Sequence, residues 1–190
     1  MAQLNTPARA RPQDYLDTAL EALAGGELCH AVLDQLPVPI YTTDAEGAVT
    51  YWNRACVEFA GREPTLGQDK WCVTWKIYTT SGDFLPHDQC PMAKAIKEKR
   101  EIRGKVAIAM RPDGSRRAFT PYPTPLFDEA GRLIGAVNML IDVSAEQADV
   151  LADQAQRCRR LADATYDRHT CSVLAAMADE FAKTAKDLTA

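Results

Sequence analysis

Long apolar runs are missing from this chain of 190 residues. None approaches the roughly eighteen residues needed to cross a bilayer as a helix. The opening MAQLNTPARARP carries Arg9 and Arg11 but no apolar stretch, so it does not read as a secretory signal. Neither sign of charge dominates: 22 Lys and Arg stand against 26 Asp and Glu, for a net charge of -4. That balance argues against a general nucleic-acid binder. The expectation is a cytoplasmic protein with no membrane or nucleic-acid contact. No CxxC pair occurs. Cys29, Cys56, Cys72, Cys90, Cys158 and Cys171 are scattered, and the default is free thiols buried as small apolar residues. No Ser/His/Asp order, phosphate loop, paired carboxylate site, internal repeat or low-complexity tract is present, so nothing points to an enzyme.

What remains is ordinary globular composition, 46% apolar and 25% charged. Residues 1–12 read as a flexible tail. Tyr15, Leu16, Ala19, Leu20 and Leu23 recur at helical spacing, and Gly25-Gly26 stops that helix. A second short helix runs from Glu27 to Leu36, so 13–36 is an N-terminal helical flank. PIYTTD and AVTYWN then form a hairpin across Ala45-Glu46-Gly47. Asn53 is placed to N-cap RACVEFA, and Gly61 to close it. Residues 62–90 read as irregular. Pro91 suits a first helical position, where its missing N–H costs nothing. Strands are expected over 104–110, 116–127 and 133–143, the first ending in the turn Arg111-Pro112-Asp113-Gly114. Short links make all pairs antiparallel. From 145 to 190 the pattern is two helices with a break near Tyr166-Asp167-Arg168.

Four segments in this order resemble a PAS domain: LPVPIYTTDAEGAVTYWNRA, GDFLPHDQCPMAKAI, RPDGSRRAF and GRLIGAVNMLIDVS. The nearest flavour is the sensory PAS domain that precedes bacterial histidine kinases. The resemblance implies an α+β fold over 37–144, a five-stranded antiparallel sheet with short helices on one face around a small cavity. It implies signal sensing or protein interaction in bacterial signal transduction, usually as a dimer, with a histidine kinase or response-pathway component as partner. It does not imply a ligand.

His87 and Cys90 in HDQCP are the weak metal candidates. Structural zinc wants four ligands; Cys72 is a third candidate, and a fourth would have to come from a residue such as Cys56, with no spacing to support it. Haem would need axial Cys90 or His87, because the helix from Pro91 to Lys99 has no histidine. The light-oxygen-voltage subfamily needs a cysteine followed by Arg-Phe-Leu-Gln and a glutamine in the last strand. Here Cys72 precedes Val73-Thr74-Trp75, and the strand position holds Leu140. HDQCP therefore reads as a loop and a helix start, and no cofactor is expected.

Alternation divides the last strand into Ala136, Asn138 and Leu140 on one face and Val137, Met139 and Ile141 on the other, and the resemblance to the light-oxygen-voltage subfamily implies that the first set faces the cavity. That outer face needs a cover. It and Leu151 and Cys158 of the C-terminal helical seam are the candidate dimer or partner interface, unless the helices fold onto their own sheet. Trp71, Trp75, Tyr78, Asn138 and Leu140 are candidates for lining a small-molecule pocket, with core packing as the other reading. Asp142 and Ser144 mark the junction that, in similar domains, passes sheet movement to the next helix. In TPYPTP, Pro121, Pro123 and Pro125 alternate, so pairing on one side of that strand should fail from Pro121 onward.

Overall fold

The computed structural model describes residues 11–24 and 29–189. The expected tail lies outside these residues except for Arg11 and Pro12, as does the Gly25-Gly26 stop. Helix α1 (Pro12–Ala24) and the short α2 (Cys29–Gln35) open the described chain. Arg11 N donates to the Asp14 carboxylate at 2.8 Å in the first turn of α1. Strands β1 (Ile40–Asp44) and β2 (Val49–Trp52) form the first hairpin. Its turn needs a glycine at Gly47, where φ is 83° and a Cβ would lie 2.2 Å from the Trp71 ring. Helix α3 (Arg54–Ala60) follows, capped by the Asn53 side chain on Cys56 N and closed by Gly61 in the left-handed region.

The next stretch is more regular than its sequence suggests. Strands β3 (Lys76–Tyr78) and β4 (Phe84–Leu85) make a short hairpin. A 3-10 turn over His87–Gln89 leads into α4 (Pro91–Glu98), with Pro91 at its start. Then come β5 (Ala107–Met110), β6 (Arg116–Pro121), β7 (Thr124–Phe127) and β8 (Leu133–Asp142). Helices α5 (Ser144–Ala164) and α6 (Arg168–Thr189) form an antiparallel hairpin at the end.

All pairings are antiparallel, and the strand order is β2-β1-β8-β6-β5-β3-β4, with β7 also on β8. The sheet thus has eight strands rather than the expected five. Two causes account for the difference. The β3–β4 hairpin extends the edge beyond β5, in a segment whose lone Gly82 and exposed Phe84 hide its pattern. The strand expected over 116–127 is also cut in two by its prolines. Tyr122 N donates to Met139 O of β8 at 2.8 Å, so Pro121 and Pro123 face the β5 side, where they have no hydrogen to give. Pairing with β5 ends at Ala107–Phe119. The Arg103 guanidinium fills the gap, donating to Pro123 O at 2.8 Å and Thr124 Oγ1 at 2.9 Å. For the same reason the strand expected from Gly104 begins only at Ala107.

The sheet has two buried faces. On the inner face Tyr41, Val49, Ala107, Ala109, Phe119, Ala136 and Leu140 pack against α3, α4 and the 72–73 segment. On the outer face Ile40, Val137 and Met139 pack under Leu16, Ala19 and Leu33 of α1 and α2. Further along the same face Ile108 and Ala118 meet Ala148, Leu151, Ala185 and Leu188 of α5 and α6. Each fully buried Leu, Ile or Met contributes about 1.5–3 kcal/mol, so both flanking helix pairs are held by apolar burial. At Gly135 β8 runs close against β1: a Cβ there would sit 2.1 Å from Thr43 O.

Candidate functional site

The space between the inner face and the short helices is where a PAS-like sheet would hold a ligand. Here side chains occupy its centre, and a polar thread runs through them. The Asn138 amide donates to Tyr41 Oη at 3.0 Å, and Tyr41 Oη donates to Trp71 O at 3.0 Å. Asn138 Oδ1 accepts from Tyr122 N at 3.0 Å. Trp71 adopts a left-handed backbone, φ 67°, which turns its carbonyl toward Tyr41. Burial pushes the Tyr41 phenol well above its usual range. Asn138 is therefore engaged on both its oxygen and its nitrogen from within the chain, as a core amide should be.

Of the five pocket candidates the structure gathers three. Trp71, Asn138 and Leu140 border or belong to the inner core. Trp75 and Tyr78 do not. Trp75 is 42% exposed, with Lys76 Nζ 4.2 Å above its ring. Alternation in β3 sends Ile77 inward and Tyr78 outward, where it packs beside Ile108 and Phe181. That alternation was hidden because 62–90 carries no run long enough to show a period of two.

HDQCP is a helix approach. Cys90 occupies the N-cap position without a side-chain capping bond, and its sulfur points to Trp71 O at 3.7 Å. Burial pushes its thiol up to about 12. Burial also lowers the pKa of His87, whose Nε2 is enclosed without a hydrogen-bond partner. Nearby, Arg62 holds Asp69 through two bonds of 3.0 and 2.6 Å, and Thr65 N adds a third at 2.6 Å. Burial alone would raise the Asp69 pKa, but the Arg62 and Thr65 bonds outweigh it and lower it. Among the described residues, no group of three or more His, Cys, Asp or Glu gathers to hold a metal ion.

The residues expected to meet a partner are placed against the chain's own helices. Val137 and Met139 are fully buried under α1 and α2, and Ile141 is half-buried at the margin of that cluster. Leu151 is buried against Ile108 and Ala118, and Cys158 is buried in α5. The alternation identified which residues need cover. It could not say that the cover comes in cis, since helix stripes look alike whether they meet their own sheet or another's.

Asp142 and Ser144 sit where β8 becomes α5. The Asp142 carboxylate accepts from Ser144 N at 2.9 Å and faces Arg117 at 3.8 Å. Ser144 Oγ is buried and accepts from Ala118 N at 3.0 Å, while Val143 N donates to Ala118 O at 2.9 Å. The first residues of α5 are thus stitched to one residue of β6. Beside this junction lies an open cleft of about 560 Å³, with Tyr15 of α1, Pro37 and Pro39 on one side and Ile141, Val143 and Glu146 on the other. Sequence reasoning missed this cleft and the role of Tyr41; the cleft has no local signal, and Tyr41 shows only as one aromatic in an alternating strand.

The family of the PAS fold matches residues 33–148. The chain belongs to the PAS family, a family of sensory domains. Among solved structures it is similar to the Rhodobacter sphaeroides LOV protein, with 14% identity, TM-score 0.46, and 93% of this chain and 97% of that one covered. It is also similar to the PAS domain of the fruit-fly ELK potassium channel, with 16% identity, TM-score 0.48, and coverage of 65% and 96%. A third is an RNA-binding light-oxygen-voltage receptor, 18% identical with TM-score 0.43, where the match covers 75% of this chain but only 37% of the receptor. No curated protein matches the chain. No helix among the described residues is long and apolar enough to cross a membrane.

Proposed function

We propose that this chain is a PAS signal-sensing and protein-interaction module of bacterial signal transduction. It regulates a protein partner, a histidine kinase or another component of a response pathway, as a homodimer and through its flanking helices. The observation that carries this reading is the stitch of Ser144 and Val143 to Ala118. It couples the start of a 21-residue helix to the middle of the sheet, so a shift of β6 against β8 is passed to α5. The satisfied Asn138–Tyr41–Trp71 thread supports an interaction module over a core ligand site.

A second reading is a sensor for a small apolar or amphipathic ligand, and the cleft between α1 and the β8–α5 junction favours it. Haem would be the less supported occupant. A native mass spectrum of the untreated full-length chain tests both. The interaction module is expected as a dimer with no added mass. A persistent added mass would transfer the assignment to the ligand sensor, and a bare monomer at all concentrations would overturn the homodimer.

A further inference from the structure

Helix α5 carries two stripes at alternating three- and four-residue steps. One is buried: Ser144, Ala148, Leu151, Ala155, Cys158 and Ala162 face the sheet and α6. The second lies roughly 100° round the helix and is Gln147, Val150, Gln154, Arg157, Leu161 and Ala164. All but the half-buried Gln147 are exposed, Val150 by 51% and Leu161 by 58%. A surface helix packed on one side buries only its first stripe, so the fold of one chain leaves Val150 and Leu161 on the second stripe open to solvent. Helix α6 also carries Val173 and Met177, 45% and 41% exposed, one turn apart on one face of that helix.

Charge along α5 is divided. Glu146, Asp149 and Asp153 lie in its first half, and Arg157, Arg159 and Arg160 in its second, with Asp163 the one acid beyond them and Arg159 already 3.7 Å from Asp179 of α6. Such a helix repels a parallel copy of itself and attracts an antiparallel one. The heptad register agrees. Set antiparallel about the midpoint of Gln154 and Arg157, the stripe brings Val150 to the partner subunit's Leu161, Gln147 to the partner subunit's Ala164, and Gln154 to the partner subunit's Arg157. Apolar meets apolar, and an amide oxygen meets a guanidinium. Asp153 and Arg160, one heptad apart, hold the position that flanks this stripe on one side, and in the antiparallel register Asp153 lies beside the partner subunit's Arg160. By two-fold symmetry each of these pairs occurs twice.

We propose that the second stripe of α5 is a self-docking surface whose occupant is a second copy of this chain, antiparallel along α5, in that register. This rests on the homodimer reading above and supplies the surface that the buried Val137 and Met139 do not. Parallel pairing would put like charges side by side along the whole helix.

The test is sedimentation equilibrium of the full-length chain and of surface variants whose fold is checked by circular dichroism. Leu161→Glu places a carboxylate in two symmetric apolar layers and should weaken dimerisation by roughly tenfold or more. Arg160→Asp should weaken it by roughly three- to tenfold, since each flanking pair becomes a repulsion. Combining Asp153→Arg with Arg160→Asp should restore wild-type association. A wild-type monomer overturns both this inference and the homodimer. A dimer indifferent to Leu161→Glu overturns this surface alone and leaves the signalling reading in place. A dimer weakened by Arg160→Asp but not rescued by the double swap overturns the antiparallel register.

Discussion

Replacing Asn53 should damage this fold more than removing any surface ion pair. The side chain is fully buried. Its Oδ1 accepts from Ile40 N and Cys56 N, both at 3.1 Å. Its Nδ2 donates to Leu33 O at 3.0 Å, Val38 O at 2.9 Å and, at the limit, Leu36 O at 3.5 Å. One amide therefore joins the end of α2, the linker to β1, β1 itself and the start of α3. Asn53→Ala removes an N-cap, worth about 1 kcal/mol. It also leaves buried backbone donors and acceptors unpaired at about 1–3 kcal/mol each, with partial relief where other partners remain. Cys56 N, for example, keeps Asn53 O at 3.0 Å. The total is about 3–5 kcal/mol, a third or more of a typical stability. For a chain of this size that is a fall in Tm of about 6–20 °C by calorimetry.

Asn53→Asp separates the donor role from the acceptor role. It preserves the shape and both acceptor bonds, but it aims a carboxylate at the carbonyls of Leu33 and Val38. Burial and those dipoles raise its folded pKa above the ordinary value of about 4. A raised folded pKa means that stability is intact below the unfolded pKa and is lost as pH rises through the folded one. The deficit of Asn53→Asp against wild type should therefore be smallest near pH 4 and widen toward neutrality. If Asn53→Ala melts within about 3 °C of wild type, or the Asp deficit is flat with pH, the reasoning about this amide is wrong.

Three further outcomes are expected. Ser144→Ala should cost about 1–2 kcal/mol and strip hydrogen-exchange protection from the Ala118 amide while β1–β8 stays protected; unchanged exchange at Ala118 refutes the stitch. Cys56, Cys72 and Cys90 are buried with thiol pKa values pushed up by desolvation, so a disulfide reagent at pH 8 should leave them untouched while half-buried Cys171 reacts. Mass mapping that finds Cys90 modified before Cys171 rejects this. His87 has its pKa lowered by burial, so the unfolded chain takes up its proton first. Its stability penalty is absent above the ordinary histidine pKa of about 6.5 and grows as pH falls below it. His87→Gln should flatten chemical-denaturation stability between pH 7 and 5; an unaltered slope there excludes His87 as its source.

How far the fold was legible depended on how long each local pattern ran. The ten residues of β8 alternate cleanly, and the structure places Ala136 and Leu140 in one core and Val137 and Met139 in the other. Asn53 and Gly61 announce α3 because capping is a contact within one turn. Three-residue β3 and two-residue β4 offer no period to read, which is why Trp75 and Tyr78 were assigned to a pocket they do not enter. The three alternate prolines did indicate a one-sided break, but not that Arg103, thirteen residues before Arg116, would reach into it. Long-range polar partnerships of that kind leave no trace in spacing.

The site follows the same division. A sheet whose two faces are both apolar must be covered twice, and that much is written in β8. Which helices provide the cover is decided by competition among similar stripes. On the outer face α1 and α2 take the β8 side and α5 and α6 take the β5–β6 side, so the two flanks divide one surface. Both reach the residues 141–143, where Ile141 belongs to the first cluster and Val143 to the second. A displacement of α5 must therefore pull on Val143 and, two residues away, disturb the margin of the α1 cluster. Coupling between the flanks needs no ligand in the core, only the short span of β8 that both share. Swapping Ile141 for Ala should accordingly loosen α1 and also lower protection at the start of α5, and hydrogen exchange in which α1 loosens alone would show that the flanks move independently.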